Sequence, residues 1–216
     1  MKTKSIQLIL VLVLILSGTA ANSLAQTNPQ TQTMQLFNGT DLSNWTFFLR
    51  DPAVNPATVF TVQNGVIHVT GSFGYMRTKE VYSNYKLHVE YRYPTTLTNS
   101  GIFVHTQGPD AIWPLTIENQ LKAGNAGDYV CMSGADMINR VNRLNSVVAK
   151  SVPSTEKPVG EWNTVDIICN GNTIETYVNG TLMNKGRGLS ITKGSICLQS
   201  EGEAIEFRNV VLSPLF

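Results

Sequence analysis

Two polar side chains spaced two residues apart stand out in the run Trp113-Pro114-Leu115-Thr116-Ile117-Glu118-Asn119-Gln120-Leu121-Lys122. The run reads as a β-strand, so Ile117 and Leu121 face one way and Thr116, Glu118 and Gln120 the other. A carboxyl and an amide on one face can move a proton and hold a sugar hydroxyl. Trp113 before the strand offers a flat apolar plate against which a sugar ring can stack. After the strand, Lys122 leads into Ala123-Gly124-Asn125-Ala126-Gly127-Asp128, a turn of small residues that lets a ligand approach the backbone. Lys122, Asn125 and Asp128 are its candidate contacts with substrate; a carboxylate at Asp128 could equally bind calcium or cap the turn. The plainer reading of the strand is a solvated outer face.

A second carboxylate completes the usual glycosidase arrangement, and Glu90 is the candidate for it. Tyr85 to Tyr93 alternates cleanly, with Tyr85, Leu87, Val89, Tyr91 and Tyr93 on one face and Lys86, His88, Glu90 and Arg92 on the other. Pairing this strand with Ile102–Thr106 and matching the apolar faces sets His105 beside His88 and Glu90. His105 is then the candidate proton shuttle or carbonyl donor, alongside Glu118. His68 and His88 read as structural. Three histidines spread this way, with no carboxylate at ligand spacing, give no metal site, and no cofactor is expected.

These strands belong to a chain of 216 residues with 42% hydrophobic content, enough to bury a core as one domain. Charged residues are only 14% and net charge is +1, which removes the electrostatic case for nucleic acid or an anionic membrane. Lys2 and Lys4 precede an unbroken apolar run from Ile9 to Leu16, and Ser23-Leu24-Ala25 offers small residues at cleavage-site spacing. Residues 1–25 therefore read as a signal peptide cut after Ala25, with Ala21 the second choice. No Cys follows the apolar run, so no lipid anchor is expected after cleavage, and the protein is expected to be periplasmic or secreted. Without Lys2 and Lys4 the 16 basic residues become 14 against 15 acidic, a net charge of −1. Cys131, Cys169 and Cys197 allow one disulfide with one thiol left over, or three buried thiols.

Residues 26–35 are rich in Thr, Gln, Asn and Pro and read as a disordered lead-in to a single domain spanning 36–216. Asn-Gly at Asn64-Gly65, Asn170-Gly171 and Asn179-Gly180, each between β-branched runs, predicts hairpins. Further strands are expected at Ser195–Leu198 and Ile205–Leu212. Helical signal is confined to the spacing of Met137, Val141 and Leu144, which equally fits an irregular loop. Many short antiparallel strands with little helix predict an all-β fold, a two-sheet jelly-roll sandwich whose outer face can form a ligand groove.

Read as a set, several segments resemble the 3-keto-disaccharide hydrolase domain family. They are Leu36-Phe37-Asn38-Gly39-Thr40-Asp41-Leu42-Ser43-Asn44-Trp45, Asn99-Ser100-Gly101-Ile102-Phe103-Val104-His105, and the Trp113–Asp128 stretch. Lys157-Pro158-Val159-Gly160-Glu161-Trp162-Asn163, Val178-Asn179-Gly180 and Phe207-Arg208-Asn209-Val210 complete the match, in family order. The resemblance implies a concanavalin-A-like jelly roll, an exported protein and a carbohydrate substrate. It departs at His105, where many relatives carry Arg, and at the Gly-rich turn, where many carry an acid. A 3-keto sugar has an acidified C2 proton and a leaving group β to the ketone. One base could thus trigger elimination, with His105 and Gln120 steadying the ketone oxygen; direct hydrolysis with Glu118 as donor fits as well. Two other classes fit the same strands: a non-catalytic carbohydrate-binding module, and a laminin-G-like interaction domain.

Overall fold

A computed structural model describes residues 32–216; the expected signal peptide and residues 26–31 of the lead-in lie outside the described residues. Among the described residues there are fifteen strands: β1 (Met34–Gln35), β2 (Trp45–Leu49), β3 (Phe60–Gln63), β4 (Val66–Val69), β5 (Gly74–Thr78), β6 (Tyr85–Arg92), β7 (Gly101–Gln107) and β8 (Leu115–Gln120). The rest are β9 (Tyr129–Met132), β10 (Val147–Val148), β11 (Asn163–Asn170), β12 (Thr173–Val178), β13 (Thr181–Arg187), β14 (Ser195–Ser200) and β15 (Ile205–Pro214). One helical turn, α1 (Pro56–Val59), is capped by the Asn55 side chain.

The strands form two antiparallel sheets. The first runs β13-β12-β11-β6-β15-β4-β3, with β1 added along β15; the second runs β10-β9-β8-β7-β14-β5-β2. Leu87, Val89 and Ile167 from the first sheet meet Ile102, Val104, Ile117 and Leu198 from the second in one buried core. The all-β, two-sheet expectation therefore holds. Asn64 and Gly65 both take positive φ (52° and 75°), as do Asn179 and Gly180 (49° and 78°), and both pairs close hairpins as their sequence requires.

Of the two readings open for Met137 to Leu144, the irregular loop is the one observed, braced by ion pairs from Asp136 to Arg140 and Arg143. Two expectations need correction. Met34–Gln35, read as lead-in, pairs with Leu212 and Val211. The second matters more for the site: β6 does not pair with β7. It pairs with β11 and β15, while β7 pairs with β8 and β14 in the other sheet. Both strands do turn their apolar faces to the same core, but from opposite sides. The 94–100 link is a crossover between layers, anchored where the Tyr93 hydroxyl donates to the Leu121 carbonyl.

All three cysteines are free and buried. Burial pushes the Cys131 thiol up to about 11 and those of Cys169 and Cys197 to about 12, so they sit as small apolar side chains.

Candidate active site

Register fixes what the outer face of the second sheet presents. Glu118 stands opposite Phe103 on β7 and Val130 on β9, and Val130 stands opposite Val147 on β10. Gln120 stands opposite Gly101. The alternation predicted for Thr116, Glu118 and Gln120 against Ile117 and Leu121 is the one observed: Ile117 and Leu121 are core residues, and Glu118 and Gln120 line a cleft of about 490 Å³. Asn99, Trp113, Val130, Met132, Val147 and Glu201 are among its other walls.

Glu118 lies at the cleft floor, 2% exposed. A β-carbon on Gly101 would lie 2.7 Å from its Cδ and 2.8 Å from its Cγ, so the carboxyl occupies the space a side chain on β7 would fill. Its Oε1 is buried without a hydrogen-bond partner in the protein. Burial pushes the carboxyl well above the ordinary carboxylate range, and the Glu201 charge adds to that. The recess thus favours the protonated form of Glu118 over the carboxylate.

The second carboxylate is Glu201. It follows β14, bridges to Asn99, and accepts a hydrogen bond from Gln199 Nε2 at 2.8 Å. Partial burial raises its pKa, while hydrogen bonds from Asn99 and Gln199 and the charges of Arg50 and Lys122 favour its ionised form. Both carboxyls are raised, Glu201 against more opposing hydrogen bonds and charges than Glu118, an arrangement that can divide into a proton donor and a proton acceptor. Asn99 Oδ1, on the cleft wall, is buried and unpartnered like Glu118 Oε1, so two oxygens at the site lack a donor from the protein. Hydroxyl-rich ligands supply such donors.

Gln120 Oε1 already accepts from the backbone N–H groups of Leu121 (3.1 Å) and Lys122 (3.0 Å), so it offers a ligand its Nε2 donor. Trp113 is 45% exposed, with its indole edge-on to Phe73 at 5.3 Å between centroids. Its exposed area is available for stacking.

The remaining candidates sit elsewhere. A bulge in β7, one residue longer than β8 between Val104 and Gln107, turns His105 inward at φ 55°. Its ring is fully buried, with Nδ1 3.2 Å from the Ile191 carbonyl, Nε2 3.3 Å from the Ser83 carbonyl and Tyr85 edge-on. Burial lowers its pKa, although the two carbonyls pull the other way. Glu90 is on the outer face of the first sheet, with the whole core between it and Glu118. Partial burial pushes its carboxyl up, but hydrogen bonds from Asn209 and Arg208 outweigh it and hold the pKa below the usual value. Asn125 and Asp128 do not line the cleft: Asn125 Nδ2 donates to Asp128, which also receives the Lys150 backbone N–H at 2.8 Å. The Gly-rich turn serves packing, since a β-carbon on Gly127 would lie 2.8 Å from Met183 Cγ. Lys122 is exposed and acts on the site only through its charge on Glu201.

Glu201, Asn99 and Gly101 were not singled out as site residues. Gln199-Ser200-Glu201 repeats the amide–acid spacing of Glu118 and Gln120 in reverse, a signal lost when the strand is ended at Leu198.

Comparison with solved structures agrees with the sandwich. A glycosyl hydrolase so described only by assignment, from Parabacteroides distasonis ATCC 8503, superposes with TM-score 0.65 at 21% identity, covering 85% of this chain and 94% of its own. The β-glucanase of Bacillus licheniformis gives 0.55 at 16% identity, covering 87% and 99%. The carbohydrate-binding module CBM66 from Bacillus subtilis gives 0.59 at 9%, covering 79% and 95%. The shared fold is the concanavalin-A-like jelly roll. A search of curated proteins finds no match. Residues 32–213 match one family throughout, and the chain belongs to the 3-keto-alpha-glucoside-1,2-lyase-like domain family.

Proposed function

We propose that this protein is an exported enzyme that cleaves the glycosidic bond of 3-keto-glycosides in the cleft over β8, with Glu118 as general acid and Glu201 as base. The observation that carries this reading is the Glu118 carboxyl, buried in the Gly101 gap, unpartnered at Oε1 and raised in pKa beside a second carboxyl. Membership of the lyase-like family and the resemblance of the fold to glycosyl hydrolases support the substrate class.

The chemistry follows from the sugar ketone. Glu201 takes the C2 proton; that electron pair forms the C1–C2 double bond as the C1–O bond breaks. Glu118 gives its proton to the departing oxygen, so the leaving group departs as a neutral alcohol. Gln120 Nε2 is the donor placed to meet developing negative charge on the ketone oxygen. Water then adds across the double bond to release the 3-keto sugar. Export rests on the Lys2–Ala25 segment.

The test is turnover of a 3-keto disaccharide and its unoxidised parent by the wild type, Glu118→Gln and Glu201→Gln. Each variant is expected to lose about 10²–10⁴-fold on the keto substrate. Unchanged cleavage by Glu118→Gln would remove that residue from the chemistry. The similarity to CBM66 favours a second reading, carbohydrate binding without turnover; tight binding of both sugars with no product from either would establish it.

A further inference from the structure

The walls of the cleft differ in polarity from one side to the other, and the strand order sets the difference. Across the second sheet the order β14-β7-β8-β9-β10 places Glu201 and Asn99 on one side and Val130, Met132 and Val147 on the other. Glu118 and Gln120 stand between them on β8. On the β7–β14 side the wall is polar: the Asn99 amide, whose Oδ1 is buried and unpartnered, and the Glu201 carboxyl, which Gln199 holds through its Nε2 at 2.8 Å. On the β9–β10 side the polar groups are largely committed: Ser133 donates its hydroxyl to the Trp113 carbonyl, and the Ser146 carbonyl accepts from Cys131. Val147 is 37% exposed, and the segment leading into β10 leaves Leu144 wholly exposed. A cleft of about 490 Å³ is in the range of about 300–1,000 Å³ that takes a whole drug-sized ligand, more than a single sugar ring fills.

We infer that the substrates are glycosides with an apolar leaving group, an aryl or alkyl aglycone, rather than disaccharides. The sugar ring lies toward Asn99 and Glu201, where its hydroxyls meet an amide and a carboxyl. The aglycone lies against Val130, Met132 and Val147, and the glycosidic oxygen falls between the two halves, over Glu118. A second sugar on the β9–β10 side would set its hydroxyls against valine and methionine, losing their hydrogen bonds to water without replacement. This inference rests on the proposed cleavage reading for its substrate but on the polarity of the cleft for its specificity, and the two can fail separately.

The deciding measurement is calorimetric affinity for 4-nitrophenyl α-glucoside and for trehalose, each with its 3-keto form. The aryl glycoside is expected to bind at least about tenfold tighter than the disaccharide of the same oxidation state. Val130→Thr and Val147→Thr, which keep side-chain shape and β-branching, should cut that preference below about threefold; thermal midpoints confirm that both variants fold, and Val147 is exposed enough for its change to be safe. Equal affinities, no binding of the aryl glycosides, or a preference that survives both changes would overturn the inference. Turnover is scored separately. Equal binding with cleavage of both keto substrates sinks the specificity and keeps the chemistry. An aryl preference with no cleavage keeps the specificity and sinks the chemistry.

Discussion

The carboxyl of Glu118 fills the place where Gly101, on the neighbouring strand, has no side chain. No φ restriction explains this glycine, since its backbone is not in the left-handed region; space does. Gly101→Ala should push the carboxyl out of its recess and lower kcat by about 10²-fold, the cost of displacing a catalytic group by an ångström. Circular dichroism should show the sheet intact. Wild-type kcat in this variant would mean that the recess plays no part in the chemistry.

Glu118 also links stability to pH. Its folded pKa lies above the ordinary 4.5, so the stability associated with its protonated form is complete below pH 4.5 and is lost as pH rises to the folded value. In that window the unfolded chain ionises and the folded one does not. Glu118→Gln should therefore gain on the wild type by about 1.4 kcal/mol per pH unit above 4.5, levelling once the folded carboxyl ionises. Chemical denaturation from pH 4 to 9 measures the gap. A constant difference across the series would show an ordinary carboxylate.

The same ionisation makes a prediction about activity. If Glu118 donates its proton in the rate-limiting step, kcat should fall as pH rises through its raised pKa, and Glu118→Asp should move that limb rather than abolish it. A wild-type kcat with no alkaline limb that Glu118→Asp displaces would contradict the assignment.

His105 and Glu90 test the site from the other side. His105→Asn suits the positive φ but leaves the Ile191 or Ser83 carbonyl short of a donor, for about 1–3 kcal/mol of stability. Because the folded pKa of His105 lies below its ordinary 6.5, its contribution is present above pH 6.5 and lost on acidification, a trend the variant should lack. Neither His105→Asn nor Glu90→Gln should move the pKa values of the kcat profile. A shifted limb in either would return that residue to the mechanism.

Trp113 should act on binding alone. Trp113→Ala removes the exposed indole and its edge contact with Phe73, and should raise KM by about tenfold with kcat little changed. An unaltered KM would leave stacking without support.

The strands were legible in the sequence because period-two alternation and Asn-Gly turns are local signals, and Tyr85 to Tyr93 and Leu115 to Gln120 carry them without interruption. The face of Glu118 followed from that alternation alone. Pairing was not legible. The apolar face of β7 fits that of β6 equally well as a ladder neighbour or as a partner across the core, and only the closed sandwich decides between them. His105 was misplaced for a related reason: one extra residue between Val104 and Gln107 reverses every side chain after it, and nothing in Phe103-Val104-His105-Thr106-Gln107 marks a bulge. Glu201 was overlooked because its strand was ended two residues early, at Leu198 rather than Ser200.

Asn119, between the acid and its amide neighbour, points the opposite way and accepts a hydrogen bond from the Thr176 hydroxyl of the facing layer. β8 is thereby bolted through the protein's interior to the opposite sheet. Remodelling at position 176 would loosen that bolt and tilt Glu118 from behind, so the carboxyl at the cleft floor can be repositioned through the back wall without touching a single lining atom.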